Sequence, residues 1–315
     1  MSFTMGSDPE FMLMRDGRYY SAIEIVPGDK DHRYQIGQHE YYFDNVLAEC
    51  SIFPGSDKQD TIYQFRDCLQ KYANLIKPYT LVAQAAQEYP HNELRHQKAK
   101  EAGCDPERCA YALQMLKPKT NLFAHNAMRS AGGHIHLGTS LAKTMYGAEF
   151  IVRMMDLFIG LPSIYIDHDL TARQRKTLYG RAGRYRLPKH GVEYRTLGNF
   201  WLSSPKLVGL IYDLCKFILQ FVEQDEHLKL WTVDFNKLND DHAREQPEFR
   251  AADCHHCHGY DVATLRNAID TMDRKQGKSF MKMIFDILPV ELTESLKTAA
   301  QPIKYDLYKE WCIKT

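Results

Sequence analysis

The residues best suited to chemistry are polar pairs spaced two apart in segments that otherwise favour β-strands. His134 and His136 form one pair, and Glu193 and Arg195 form another. Because residues i and i+2 of a strand face the same side, each pair is expected to project into one cavity. A carboxylate or an imidazole can bind a divalent cation, and a guanidinium can grip a phosphate. The spacing therefore predicts a site where a cation and a phosphate meet.

Two further segments supply carboxylates. Asp8 and Glu10 are also spaced two apart, and Glu49 is a lone charge in an apolar segment. A buried carboxylate needs a cation or hydrogen-bond donors, so all three are predicted metal ligands. Glu40 competes with Glu49, but its segment is more polar. An acidic edge strand or a cloning remnant is the alternative for Asp8 and Glu10, and a structural ion pair is the alternative for Glu49.

Arginines surround Glu193 in the sequence: Arg181, Arg186 and Arg195. Phosphoryl transfer is catalysed mainly by positioning and by neutralising charge on the transferring oxygens. We therefore predict catalytic roles for these three arginines, with a solvated basic hairpin as the alternative. Arg129 precedes the Gly132-Gly133 pair and is a weaker candidate for contacting a carboxylate substrate.

The elements that must position these residues follow an α+β pattern, since strands precede helices without regular βαβ alternation. One catalytic domain is predicted over residues 1–225, followed by a helical extension over 226–315 that packs on it. The individual predictions are strands over 5–14 and 41–52, a hairpin turn at Asp16-Gly17, and helices over 59–76, from Leu141 to about Leu161 with Ser140 as N-cap, and from Pro205 to about Val222.

Composition excludes several classes of protein. The 315-residue chain has 40 basic and 40 acidic residues, so nothing in its charge favours nucleic acid or an anionic membrane. No apolar run is long enough to span a bilayer and no export signal is visible, so a cytoplasmic protein with reduced thiols is expected.

Two cysteine-containing segments remain open in function. Cys254, Cys257 and His258 form a local cluster that could bind zinc, but a structural zinc site needs four ligands and a second pair is not evident. The segment Gly103-Cys104-Asp105-Pro106 has no chemical role that can be derived from its residues.

The motifs together resemble a known superfamily, and they occur in its order. Gly6-Ser-Asp8-Pro-Glu10-Phe, Gly133-His134-Ile-His136, Arg181-Ala-Gly-Arg-Tyr-Arg186 and Val192-Glu193-Tyr-Arg195 resemble strands of glutamine synthetases and glutamate–cysteine ligases. The segments Asp44–Glu49, Gly103–Pro106 and Arg129–His134 make the chain more similar to the phage carboxylate–amine ligase family, COOH–NH2 ligase type 2. The resemblance covers about residues 5–205.

This resemblance implies a glutamine-synthetase-like fold, in which a curved antiparallel sheet forms a half-barrel flanked by helices. It implies an ATP- and Mg²⁺- or Mn²⁺-dependent ligase that forms an amide through an acyl phosphate. Small carboxylate and amine substrates are expected, such as an amino acid, a peptide or a modified nucleobase, in the host cytoplasm if the protein is phage-encoded. By resemblance the metal ligands are Asp8, Glu10, Glu49, His134 and Glu193, and the nucleotide contacts are His136, Arg181 and Arg195.

Three alternatives stay open at this point. A guanidino or phosphagen-type kinase would use the same fold without forming an amide. A metal-dependent amidohydrolase would bind zinc through His134 and His136, and it should show a (β/α)₈ pattern. A non-catalytic phage structural protein would not need same-face polar pairs. The oligomeric state is open, and a homo-oligomer is compatible with the sequence.

Overall fold

A computed structural model describes residues 2–101, 107–112, 126–224 and 261–314. The strands are β1 (Thr4–Ser7), β2 (Glu10–Arg15), β3 (Arg18–Tyr20), β4 (Tyr34–Ile36), β5 (His39–Asp44), β6 (Leu47–Gly55), β7 (Thr80–Val82), β8 (Ala86–Glu88), β9 (Arg108–Cys109), β10 (Met128–Ser130), β11 (Ile135–Gly138), β12 (Arg184–Arg186) and β13 (Gly191–Tyr194). The helices are α1 (Lys58–Leu75), α2 (Met145–Met155), α3 (Leu161–Ile166), α4 (Ala172–Leu178), α5 (Pro205–Glu223), α6 (Val262–Thr271), α7 (Arg274–Ile287), α8 (Val290–Ala299) and α9 (Leu307–Glu310).

One large antiparallel sheet dominates the described part of the chain. Its strands run in the order β3-β2-β6-β1-β11-β13-β12-β9, with β7 pairing with β2 and the β4–β5 pair joining at β6. The sheet does not close on itself. The predicted α+β class with an antiparallel sheet is confirmed at this level, and the described strands do not form the parallel (β/α)₈ pattern that the amidohydrolase alternative requires.

The central strands separate polar from apolar residues between two faces. Ile135, Tyr194 and Tyr185 are direct neighbours across β11, β13 and β12, and all three are fully buried. The next row has His136, Glu193 and Arg186 in the same relation. Since successive residues of a strand point to opposite faces, one face of the sheet carries the core and the other carries the polar row.

Helices cover the apolar face. Helix α1 packs on β6 and α2 packs on β13, while α5 contacts both helices. Helix α1 begins at its N-cap Asp57, whose side chain accepts from the amide of Asp60, and buries Phe65, Leu69 and Tyr72. These residues recur at three- and four-residue spacing, so the predicted helix over 59–76 is confirmed to within a residue at each end.

The helix predicted from Leu141 is interrupted, and its predicted cap is wrong. Ser140 lies inside a short 3-10 turn, and α2 starts later with Thr144 as N-cap, its hydroxyl accepting from the amide of Gly147. A π-helical turn over Asp156–Gly160 then separates α2 from α3. Such turns insert an extra residue and are frequent at functional sites.

Two predicted strands are each divided. The segment 5–14 breaks at Asp8-Pro9, because proline has no N–H to donate to a ladder, so β1 and β2 pair with different neighbours. The segment 41–52 turns back on itself at Asn45, whose φ of 55° is left-handed, so β5 and β6 form a hairpin. The predicted hairpin at Asp16-Gly17 is present between β2 and β3.

The C-terminal helices contact the rest of the described structure. Helix α7 packs on α3, and α8 packs on α5. The Trp311 indole donates to the carbonyl of Leu202, and the Tyr308 hydroxyl accepts from the amide of Leu81. The division at residue 225 stays a prediction. Among the described residues, no helix has both the length and the apolar character needed to cross a membrane.

Candidate functional site

Three ligand-type side chains meet on the polar face of the central strands. The first trio consists of Asp8, His136 and Glu193, each offering a ligand atom within 4.8 Å of the others. Asp8 Oδ1 lies 3.0 Å from His136 Nε2. His134 is adjacent, with Nδ1 3.0 Å from Asp8 Oδ1 and 3.7 Å from Glu193 Oε1. Two carboxylates and two imidazoles therefore converge.

Strand register produces this convergence. Strand β11 pairs with β1 on one side and β13 on the other, so His136 lies between Gly6 and Glu193. Gly6 has no side chain to fill this row, and Asp8 just beyond β1 reaches His136 instead. The Ser7 hydroxyl donates to the carbonyl of His134 and so links the end of β1 to the residue before β11.

His134 is held as a neutral imidazole. It is almost fully buried, and burial lowers its pKa to about 3, with the charge of Arg195 adding to the effect. For Asp8 burial alone would raise the pKa, but His136 and His134 hold it well below the usual range. A neutral imidazole beside an ionised carboxylate is the protonation state that metal ligands require.

A second cluster lies on the neighbouring strands. The second trio consists of Glu10, Asp44 and Glu49, whose oxygens also lie within 4.8 Å of one another. Glu10 on β2 is directly opposite Glu49 on β6, and Asp44 ends β5 beside them. Glu49 is buried, and its Oε2 has no hydrogen-bond partner among the described residues.

A tyrosine of helix α1 holds the backbone of the strands that carry the second trio. The Tyr72 hydroxyl donates to the carbonyls of Glu49 and Tyr42 at 3.1 and 3.2 Å. The Tyr42 hydroxyl in turn donates to Glu49 Oε1 at 3.0 Å. Glu10 Oε2 accepts from the amide of Gly132 at 2.6 Å. Among the described residues, these contacts leave Glu49 Oε2 without a hydrogen-bond partner.

Burial and mutual repulsion make the second trio costly without a counter-charge. Burial raises the pKa of Glu10 to about 7, with the Asp44 charge as the next cause. Burial followed by Asp44 and Glu10 likewise raises the pKa of Glu49 well above its usual value. Like charges held together in this way favour uptake of a cation or a proton.

The two trios are electrostatically connected. The charge of Asp8 contributes to the raised pKa of Glu49. Arg175 is buried on α4, and its guanidinium donates to the carbonyls of Ala131, Thr196 and Arg195. Its charge acts on both Glu10 and His134. Arg175 therefore places one buried positive charge near Glu10 of the second trio and near His134 beside the first.

Two of the predicted arginines lie at the first trio. Arg195 is buried and forms an ion pair with Glu193, and its Nε donates to the Tyr179 hydroxyl at 2.6 Å. Arg186 Nη1 lies 3.6 Å from Glu193 Oε1. Arg184, whose role the sequence leaves open, and Arg195 both lie 3.4 Å from carboxylate oxygens of Glu107. Cationic groups thus line the trio on the β12 side.

Two other predicted residues lie outside this arrangement. Arg181 is exposed, because it sits in the turn before β12, and its carbonyl accepts from the Thr196 hydroxyl. Arg129 is buried on β10, which pairs with β8 in a separate two-stranded sheet. Its guanidinium donates to Asn45 Oδ1 and to backbone carbonyls, including that of Ala99. These contacts are typical of a structural role, and the substrate contact of Arg129 stays a prediction.

Glu40 is also separate from the second trio. It points to the same face as Tyr42, but it is half exposed and pairs with Arg33 at 2.9 Å. The structure therefore brings Glu49 and not Glu40 to Glu10. The cluster at Cys254, Cys257 and His258 and the segment 103–106 lie outside or at the edge of the described residues, so their predictions stay untested.

Sequence reasoning missed several groups at the site. Asp44 begins the segment Asp44–Glu49, but the sequence assigns it no role. Lys30 lies in a loop, and its Nζ is 2.6 Å from Asp44 Oδ2. Glu107, Arg175 and Tyr179 carry no spacing signal that points to the site. For Asp44, its position before Asn45 at a hairpin turn is the signal that could have found it.

Residues 124–249 match the family model described as phage phiEco32-like COOH.NH2 ligase-type 2. The match confirms the resemblance that the motifs predict. It includes His134, His136, Glu193 and Arg195, while Asp8 and the second trio lie before it. No curated protein matches the chain.

Proposed function

We propose that this chain is an ATP- and Mg²⁺-dependent ligase that joins a carboxylate to an amine through an acyl phosphate. One observation carries the proposal: two carboxylate-rich trios lie on the polar face of the sheet, the first beside Arg186 and Arg195, within a chain whose matched family is named for carboxylate–amine ligation. Cations flanked by arginines are what phosphoryl transfer requires.

The donor atoms fit magnesium or manganese. The first trio offers two carboxylates and an imidazole, with neutral His134 beside them, and the second trio offers carboxylates alone. Hard carboxylate oxygens suit Mg²⁺ and Mn²⁺ better than zinc. The partnerless Glu49 Oε2 is an oxygen that a cation would satisfy. Divalent cations bound here would neutralise nucleotide phosphates and bring them to the sheet.

The residues of the chain then perform the positioning. Arg195 is held from two sides, by Glu193 and by Tyr179, so its planar guanidinium is preorganised. Arg186 lies farther from Glu193 and is half buried, so it can turn toward a transferring phosphoryl group. A carboxylate oxygen attacks the γ-phosphorus and ADP leaves. The amine nitrogen then attacks the acyl carbon, loses a proton, and phosphate leaves.

An oxygen-tracing experiment tests this chemistry. The protein would be incubated with ATP, Mg²⁺ and pooled acids carrying ¹⁸O in the carboxylate, together with pooled amines. We expect ADP, an amide of new mass, and one ¹⁸O atom transferred into inorganic phosphate, because the leaving phosphate carries the attacking carboxylate oxygen. AMP carrying the label, or amide hydrolysis without ATP, would refute the proposal.

The same assay separates the remaining kinase alternative. A guanidino kinase would give ADP and a phosphorylated guanidine, without an amide and without ¹⁸O in phosphate. Glu193→Gln, which removes a charge from the first trio, should abolish turnover. Lys189→Ala, at an exposed position in the turn between β12 and β13, is the matched control and should retain it.

A further inference from the structure

Lys30 places a permanent positive charge at the second trio. It lies in the loop before β4, and its Nζ is 2.6 Å from Asp44 Oδ2. Burial opposes the charged form, but Asp44, Glu49 and Glu10 together raise the pKa of Lys30 above its usual value. The ammonium therefore contacts Asp44 and acts electrostatically on Glu49 and Glu10.

The loop that carries Lys30 is fixed, whereas the end of the side chain is not enclosed. The carbonyl of Gly28 accepts from the amide of Phe43 at 2.9 Å, and Asp29 forms an isolated β-bridge with Phe43. A Cβ at Gly28 would lie 2.6 Å from the backbone of Tyr34 and Tyr41, so this backbone is packed directly on β4 and β5. The Lys30 side chain is about one third exposed, so its ammonium can leave the trio while the loop stays in place.

Two positive charges cannot share this cluster at low cost. The trio oxygens span less than 4.8 Å, so a cation bound among them would lie near the position that the ammonium faces. Like charges at such separations repel strongly where burial reduces screening by water. Glu49 Oε2 stays without a partner while Lys30 contacts Asp44, so the ammonium does not satisfy the whole cluster.

We propose that Lys30 is a built-in counter-ion of the second trio, which a divalent cation must displace in order to bind Glu10, Asp44 and Glu49. The inference rests on the proposed function, because it concerns the cation sites of that function. Lys30 therefore competes with a cation for these carboxylates, and the second trio binds one only when the ammonium moves away from Asp44.

Mn²⁺ titration followed by electron paramagnetic resonance tests this without turnover. In the wild-type chain without nucleotide, we expect one Mn²⁺ at the first trio and weaker binding of a second. Lys30→Met should tighten the second Mn²⁺ at least tenfold and leave the first unchanged. Lys30→Arg, which keeps the charge, should stay within about threefold of wild type. Glu49→Gln in the Lys30→Met background should remove the second Mn²⁺ and so assign it.

Lys98→Met is the matched control, since Lys98 pairs with Asp29 of the same loop and not with a carboxylate of the second trio. It should bind Mn²⁺ like wild type. Unchanged or weaker binding of the second Mn²⁺ in Lys30→Met would overturn the inference, as would equal tightening by Lys98→Met. The titration needs no ATP, so the two proposals can fail separately. If the chain forms an amide but Lys30→Met titrates like wild type, only the role of Lys30 is refuted. If the titration is as expected but no turnover occurs, only the ligase proposal is refuted.

Discussion

Gly160 lets the sheet and the helices approach closely behind the first trio, and its replacement by alanine should be destabilising. Gly160 ends the π-helical turn, and the Tyr194 hydroxyl donates to Asp156 Oδ1 at 2.6 Å beside it. A Cβ at Gly160 would lie 2.6 Å from that hydroxyl, which is closer than real contacts allow. Tyr194 stands between Glu193 and Arg195 on β13, so the clash bears directly on the site.

The magnitude follows from three opposing effects. Alanine should gain about 1 kcal/mol from helix propensity. Moving Tyr194 loses a hydrogen bond to a carboxylate, about 1.5–3 kcal/mol, and overpacking a full core costs about 1–3 kcal/mol. The net expectation for Gly160→Ala is therefore a loss of about 1.5–5 kcal/mol in the free energy of unfolding. Affinity for Mn²⁺ at the first trio should fall as well, because β13 is displaced.

Urea unfolding monitored by circular dichroism measures the effect, with Gly209→Ala in α5 as the matched control. A Cβ at Gly209 would meet the end of the flexible Lys58 side chain at 3.0 Å, which can move aside. Gly209→Ala should therefore be neutral or stabilising by up to about 1 kcal/mol. A Gly160→Ala chain as stable as wild type would show that the Tyr194 contact is not as tight as described here.

Four other substitutions test the remaining assignments. Glu193→Gln should weaken Mn²⁺ binding and lower kcat. Arg195→Lys loses the planar guanidinium and should lower kcat/KM by roughly two orders of magnitude. Near-normal activity of Arg195→Lys together with loss of activity in Lys189→Ala would refute the assignment of these residues to phosphoryl transfer. Lys176 is buried and its pKa falls to about 7 from 10.5, so the folded state holds fewer protons between these values and stability should rise with pH across that range. Lys176→Met should remove about 1.4 kcal/mol per pH unit from this rise in urea experiments, and identical slopes would contradict the burial of the ammonium. Arg129→Lys should lower the urea midpoint by losing buried hydrogen bonds but leave Mn²⁺ affinity unchanged, whereas the reverse result would contradict the stabilising role of these hydrogen bonds.

The sequence predicted the polar face where strand pairing is regular. The two-residue spacing placed His134 near His136, since β11 begins directly after His134 and both imidazoles lie 3.0 Å from Asp8 Oδ1. The same rule failed for Asp8 and Glu10, since Pro9 breaks the strand between them. These two carboxylates therefore belong to different trios. The trio that each one joins depends on the strands that β1 and β2 pair with.

Residues joined through tertiary contacts could not be predicted in this way. Asp44 was hidden because Asn45-Val46 is a weak hairpin signal compared with Asn-Gly. Arg175 lies on a helix of seven residues, α4, which is too short for a clear apolar periodicity. Arg129 lies three residues from Gly132 in sequence, but β10 joins a separate sheet and directs its guanidinium to backbone carbonyls.

The order of strands in the sheet also has a consequence for the path of folding. The second trio is made within residues 10–49, largely by the β5–β6 hairpin and its neighbour β2. The first trio needs β1 to meet β11 and β13, so it joins residue 8 to residue 193. Closing so long a loop is slow compared with forming a hairpin. The second trio should therefore assemble early on the growing chain, with Lys30 already beside it, and its acidic cluster would be balanced by a charge of the chain itself before the first trio exists.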